Sequence, residues 1–125
     1  MQYLALIHTD ESQWDGLSED ERGKAMEGYM AFAQEGRQAG VITDGNELAP
    51  TATATTVRVR GDETLVTDGP FAELKEALGG YYLFECGSID EACDWAAKIP
   101  GASYGAIEVR PVHVDPAQVD KAEGS

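Results

Sequence analysis

Two short stretches of the chain, 2–8 (QYLALIH) and 81–86 (YYLFEC), carry apolar groups at nearly every position. A strand built from either would have no polar face, which marks it as covered on both sides. Between and around them the pattern changes period. Ser18-Glu19-Asp20-Glu21 reads as a capping box, in which the serine hydroxyl accepts from first-turn amides and the glutamate reaches back. It opens a helix over 18–39, with Met26, Tyr29, Met30, Ala33 and Arg37 at helical spacing and Gly40 as the stop. Residues 9–17 read as a polar loop, and 41–48 as a strand bent at Gly45.

In 55–67, Val57 and Val59 alternate with Arg58 and Arg60 before Gly61-Asp62, the signature of a β-hairpin. The Asp68-Gly69-Pro70-Phe71 turn follows, and then a short helical segment over 70–78 that Gly79-Gly80 ends. Ser88-Ile89-Asp90-Glu91 is a second capping box; Ala92, Trp95, Ala96 and Ile99 form one stripe of its helix, and Pro100 stops it. The last strand is 106–112, and 115–125 reads as a polar tail behind a single domain of 1–114.

The order is β-α-β, hairpin, β-α-β. Without the hairpin this is the split βαβ pattern of an α+β, ferredoxin-like βαββαβ sheet. In that topology the first and third core strands lie in the middle, and these are the two stretches with no polar face. Two helices cover one face of such a sheet. Large apolar groups on the other face need a cover as well. A second copy related by a two-fold axis supplies one, and the hairpin folding back supplies the alternative.

Composition narrows the partners. The chain has 125 residues and a net charge of −14, which disfavours nucleic-acid and anionic-membrane surfaces. The N-terminus does not read as a signal peptide, and no stretch reaches the length of a membrane span. Cys86 and Cys93 are too few for a disulfide framework, so the protein is expected to be cytoplasmic, with both thiols reduced and buried. Histidine and cysteine spacing predicts no metal site, and no phosphate-binding glycine loop or nucleophile elbow is present.

The candidate chemistry gathers near the turn. Gly69, Pro70 and Phe71 are read as structural: glycine tolerates unusual angles, proline pre-sets a helical one, and Phe71 packs on Leu74 and Leu78. Asp68 either caps the following helix or joins Glu73 and Lys75 in a cleft beside Tyr82. In such a cleft a carboxylate could act as a base and Lys75 could orient an anionic group. His8 ends a buried strand on the same face as Leu4 and Leu6, with Asp10 close enough in sequence to orient it. Arg58, Arg60 and Arg110 are expected in salt bridges. The antiparallel pairing of the first and last strands puts His8 and His113 about 20 Å apart, too far for a dyad within one subunit.

The segments DGPFAELKEALGGYYLFEC, SIDEACDWAAKIP and IEVRPV resemble the DGPF-domain branch of the YCII-related family over nearly the whole chain. The resemblance implies a dimeric α+β barrel of ferredoxin-like halves. It also implies a functional link to extracytoplasmic-function sigma factors, beside which some members are encoded. In the YCII branch a His–Asp pair, its histidine on the first helix, is the suggested active site. That pair does not carry over, because 18–39 contains no histidine. Two readings follow: a cofactor-free, non-catalytic homodimer that binds a small molecule or regulates; or a small cofactor-free enzyme using Asp68, Glu73 or His8 as acid or base.

Overall fold

The computed structural model describes residues 1–114; the expected tail, 115–125, lies outside the described residues. Among the described residues the strands and α-helices follow in the order β1 Gln2–Thr9, α1 Glu11–Asp15, α2 Glu19–Gln38, β2 Ile42–Glu47, β3 Thr55–Arg60, β4 Glu63–Asp68, β5 Ala77–Glu85, α3 Ile89–Ala96 and β6 Ala106–Pro111. The main antiparallel sheet has the order β2-β5-β1-β6, while β3 and β4 form a separate two-stranded sheet. The strands with no polar face, β1 and β5, are central, as expected of a ferredoxin-like α+β fold. No helix among the described residues is long and apolar enough to cross a membrane.

Alternation along β1 divides the sheet into two faces. Tyr3, Ala5 and Ile7 are buried and meet Phe84 of β5, Phe32 of α2, and Ala92 and Ala96 of α3, with Ile99 beyond α3. Leu4, Leu6 and His8 point the other way and stay half-buried. The helix ends follow from local chemistry. Ser18 accepts from the Glu21 amide while Glu21 accepts from the Ser18 amide, and Ser88 accepts from the Glu91 amide.

Several expectations are corrected. The segment 70–78 is not a helix. Its first residues bend, and Ala77 and Leu78 already pair with Thr9 and His8 as the start of β5. Phe71 and Leu74 are exposed, Phe71 by 77 %, so they do not form the expected apolar stripe. A segment this short has little helical stability without packing, whereas its last residues gain a sheet ladder. Asp68 therefore has no helix to cap; it ends β4 opposite Thr55. Gly69 adopts φ +99°, donates its N–H to Ala54 O at 2.7 Å, and accepts the Thr56 hydroxyl at 2.8 Å. The turn thus clamps the root of the hairpin.

The polar loop 9–17 contains α1, capped by Asp10. On α2 the core-facing residues are Phe32 and Gly36, with Tyr29 beside them, while Met30 is 69 % exposed. Gly36 decides that face, because a Cβ there would fall 2.6 Å from Ile42 Cγ1. Gly45 sits within a continuous β2 and makes room for the Tyr82 ring. Cys86 is buried but Cys93 is exposed. Arg58, Arg60 and Arg110 form no ion pair with a described residue, and Arg60 instead donates to Val59 O. The hairpin does not shield the sheet: Val57 and Val66 are 59 % and 64 % exposed.

Candidate functional site

The open face of the sheet is built from alternate residues of four strands. Strand register arranges them in rows. One row runs Asp44, Leu83, Leu4, Arg110 across β2, β5, β1 and β6. The next runs Asn46, Tyr81, Leu6, Glu108, and His8 follows on β1 beside Ala106. The two middle positions of each full row are Leu or Tyr, all half-buried, and none belongs to the core cluster. The edge positions are polar or charged. This face is therefore an apolar centre with a polar rim.

Two hydrogen-bonded pairs join that rim to the middle strands. His8 Nε2 is 3.2 Å from Glu108 Oε1, a diagonal contact between β1 and β6. Asn46 Nδ2 donates to Tyr81 Oη at 3.0 Å, a direct pair between β2 and β5. Chemically the first pair offers an imidazole held by a carboxylate. The second offers a phenol whose own proton remains free to donate. Together they can bind small polar groups at the margin of an apolar surface.

Asp10 is not the partner of His8. Its carboxylate accepts from Ser12 N at 2.9 Å and Ser12 Oγ at 2.6 Å, capping α1. Those bonds hold the carboxyl below its usual range, with a small further pull from Lys75. Glu11 accepts from both the amide and the hydroxyl of Thr51, at 2.9 and 3.0 Å, and so ties α1 to the chain leading into the hairpin.

The residues expected to share a cleft are spread out. Asp68, Glu73 and Lys75 are exposed. Tyr82 lies on the opposite, helix-facing side, its ring centroid 5.1 Å from that of Phe32 and stacked on Phe84 at 6.2 Å. Burial pushes its phenol up from the ordinary range. No hydrogen bond or ion pair among the described residues joins any two of these four. His8 and His113 are far apart: β1 pairs His8 with Ala106 but Tyr3 with Pro111, so the histidines mark opposite ends of the ladder. Among the described residues no group of three His, Cys, Asp or Glu side chains could hold a metal ion.

Sequence reasoning missed Glu108 and Asn46 as rim residues. Alternation in AIEVRP places Glu108 and Arg110 on one face, and that signal was readable. Which residues stand opposite them depends on register, which alternation leaves open.

Comparison with known proteins fits this architecture. A family model described as the YCII-related domain matches residues 1–114. An uncharacterized protein of Rhizobium meliloti (strain 1021) is 41% identical over 114 residues, covering 90% of this chain and 92% of the relative. Among solved structures, 5-chloro-2-hydroxyhydroquinone dehydrochlorinase (TftG) of Burkholderia phenoliruptrix AC1100, in complex with 2,5-dihydroxybenzoquinone, is similar in fold. Its TM-score is 0.53 at 15% identity, with 94% of this chain and 98% of that chain covered. At that identity the likeness concerns the fold alone. The match over 1–114 and the 41% identity together place this chain in the YCII-related family.

Proposed function

We propose that this YCII-related protein is a non-catalytic homodimeric module that binds a small molecule. The observation that carries the reading is the open sheet face. Leu4, Leu6, Tyr81 and Leu83 form a continuous apolar centre on the two middle strands, outside the core cluster and away from both long helices. Soluble proteins cover such patches with a partner or a ligand. A second copy covers the centre, and the polar rim with its His8–Glu108 and Asn46–Tyr81 pairs takes the ligand. Asp68, Glu73 and Lys75 are exposed at and beyond the hairpin root, and no bond among the described residues joins them to this rim.

Size-exclusion chromatography with light scattering tests the dimer; a monomer mass at micromolar concentration speaks against it. A thermal-shift screen of small polar compounds tests binding, and 2,5-dihydroxybenzoquinone is a rational first probe. Glu108→Gln should alter the ligand-dependent shift without any turnover being found. Turnover that vanishes in Asp68→Asn, Glu73→Gln or His8→Gln, with the fold intact, would overturn the non-catalytic reading.

A further inference from the structure

We infer that two copies meet sheet to sheet about a two-fold axis parallel to the strands, so that Asp44 of each copy opposes the partner's Arg110. This rests on the homodimer reading above and deepens it to a residue pairing. The argument is one of symmetry applied to the rows. Rotation by a half-turn about an axis along the strands keeps each row at its own level and reverses its order. The row Asp44, Leu83, Leu4, Arg110 then lies over the partner's Arg110, Leu4, Leu83, Asp44. Leucine meets leucine at the centre, and an acid meets a cation at each edge.

The neighbouring row follows the same rule. Asn46 and Tyr81 of one copy lie over the partner's Glu108 and Leu6. Each His8–Glu108 pair is therefore completed by an amide and a phenol from the other copy. The ligand site is composite, built for a small molecule carrying hydroxyl or amide groups, and one copy alone supplies only half of it.

Charge favours this axis over its rival. A half-turn about an axis across the strands would bring Arg110 to the partner's Glu108, which already has His8 at 3.2 Å. It would leave Asp44 against the partner's Asn46 with no cation. The chain has 9 Lys and Arg against 23 Asp and Glu, so the arrangement that pairs the edge cation with an acid lacking one neutralises more of the interface. Asp44 is exposed, and among the described residues its carboxylate accepts only from the adjacent Gly45 amide, at 2.8 Å. Arg110 is exposed and unpaired among the described residues. Packed sheets are rotated by about 30°. At an edge strand ~7 Å from the axis this displaces a residue by roughly 4 Å, within reach of an arginine side chain.

Sedimentation equilibrium of the full chain measures the test. Asp44→Arg and Arg110→Glu should each raise the dimer Kd by about tenfold or more, because each lesion occurs twice in the symmetric interface. The double variant Asp44→Arg/Arg110→Glu should return to within about threefold of the unmodified protein. Circular dichroism checks folding. If a charge reversal does not fold, the neutral Asp44→Asn and Arg110→Gln and their double variant replace the set, with non-additive loss expected. Singles without effect, or a double variant no better than the singles, would overturn the pairing while an intact wild-type dimer leaves the homodimer reading standing. Rescue of Arg110→Glu by Glu108→Arg instead would assign the across-strand axis. A wild-type monomer would remove both readings.

Discussion

His8 Nε2 and Glu108 Oε1 stand 3.2 Å apart across neighbouring antiparallel strands, joining residues one hundred positions distant in the chain. The pair is half open to solvent, with side-chain exposures of 25% and 52%. Solvent-facing pairs of this kind contribute about 0–1 kcal/mol. Glu108→Gln is therefore expected to shift the urea unfolding free energy by less than about 1 kcal/mol. A ligand response lost in that variant then reports on the site rather than on the fold. A loss of several kcal/mol would mean the pair is structural.

Gly36 is a packing residue. A Cβ at that position would press on the Ile42 side chain, and overpacking of this kind costs roughly 1–3 kcal/mol. Gly36→Ala should lower Tm accordingly. In Gly36→Ala/Ile42→Ala the two costs should be clearly less than additive, because truncating Ile42 vacates the space the new methyl needs. Additive losses in chemical denaturation would count against this contact.

The hairpin root depends on Gly69. Its φ of +99° lies where side chains other than glycine are strained. Gly69→Ala should cost about 1–3 kcal/mol. Amide exchange should speed up first at the Gly69 N–H bonded to Ala54 O and along the β3–β4 ladder. Uniformly faster exchange across the main sheet would show instead that the turn supports the whole fold.

Stability should fall in alkali. Burial is the main cause of the raised pKa of Cys86, above the ordinary thiol value of 9.0, and of Tyr29 and Tyr82, above the phenol value of 10.0. Below those ordinary values both folded and unfolded chains keep these protons, and the groups add no pH dependence. Above them the unfolded chain releases protons that the folded chain retains, so unfolding gains ground as pH rises. Urea melts from about pH 8 to 11 should show the decline. A Cys86→Ala/Tyr29→Phe/Tyr82→Phe variant should flatten it, and an unchanged slope would refute the assignment.

Much of the fold was legible before any coordinates. The capping box at Ser18 is local: its partners lie three residues apart, and both bonds formed as spacing requires. At Ser88 only the hydroxyl half formed, because the Glu91 carboxylate accepts from the Gly87 amide instead. The central placement of β1 and β5 followed from their lack of a polar face. The segment 70–78 misled because its start signals were local while its outcome was not. Pairing of Ala77 and Leu78 with Thr9 and His8 gave those residues a ladder that an unpacked helical turn lacks. The core face of α2 is likewise not settled by local spacing. Spacing alone weighs Met30 and Phe32 alike, and only the close approach of Ile42 to Gly36 selects the stripe bearing Phe32.

What the chain determined by itself was the order of its strands, the starts of α2 and α3 and the identity of its middle strands, because each depends on neighbours in sequence or on overall apolarity. Tertiary structure alone decided which partners meet: Glu108 rather than Asp10 beside His8, and Asp44 and Arg110 at opposite ends of one row. The physical reason is strand register. A shift of one residue exchanges the two faces of a strand, and that choice is made by long-range packing between β-strands rather than by any local preference.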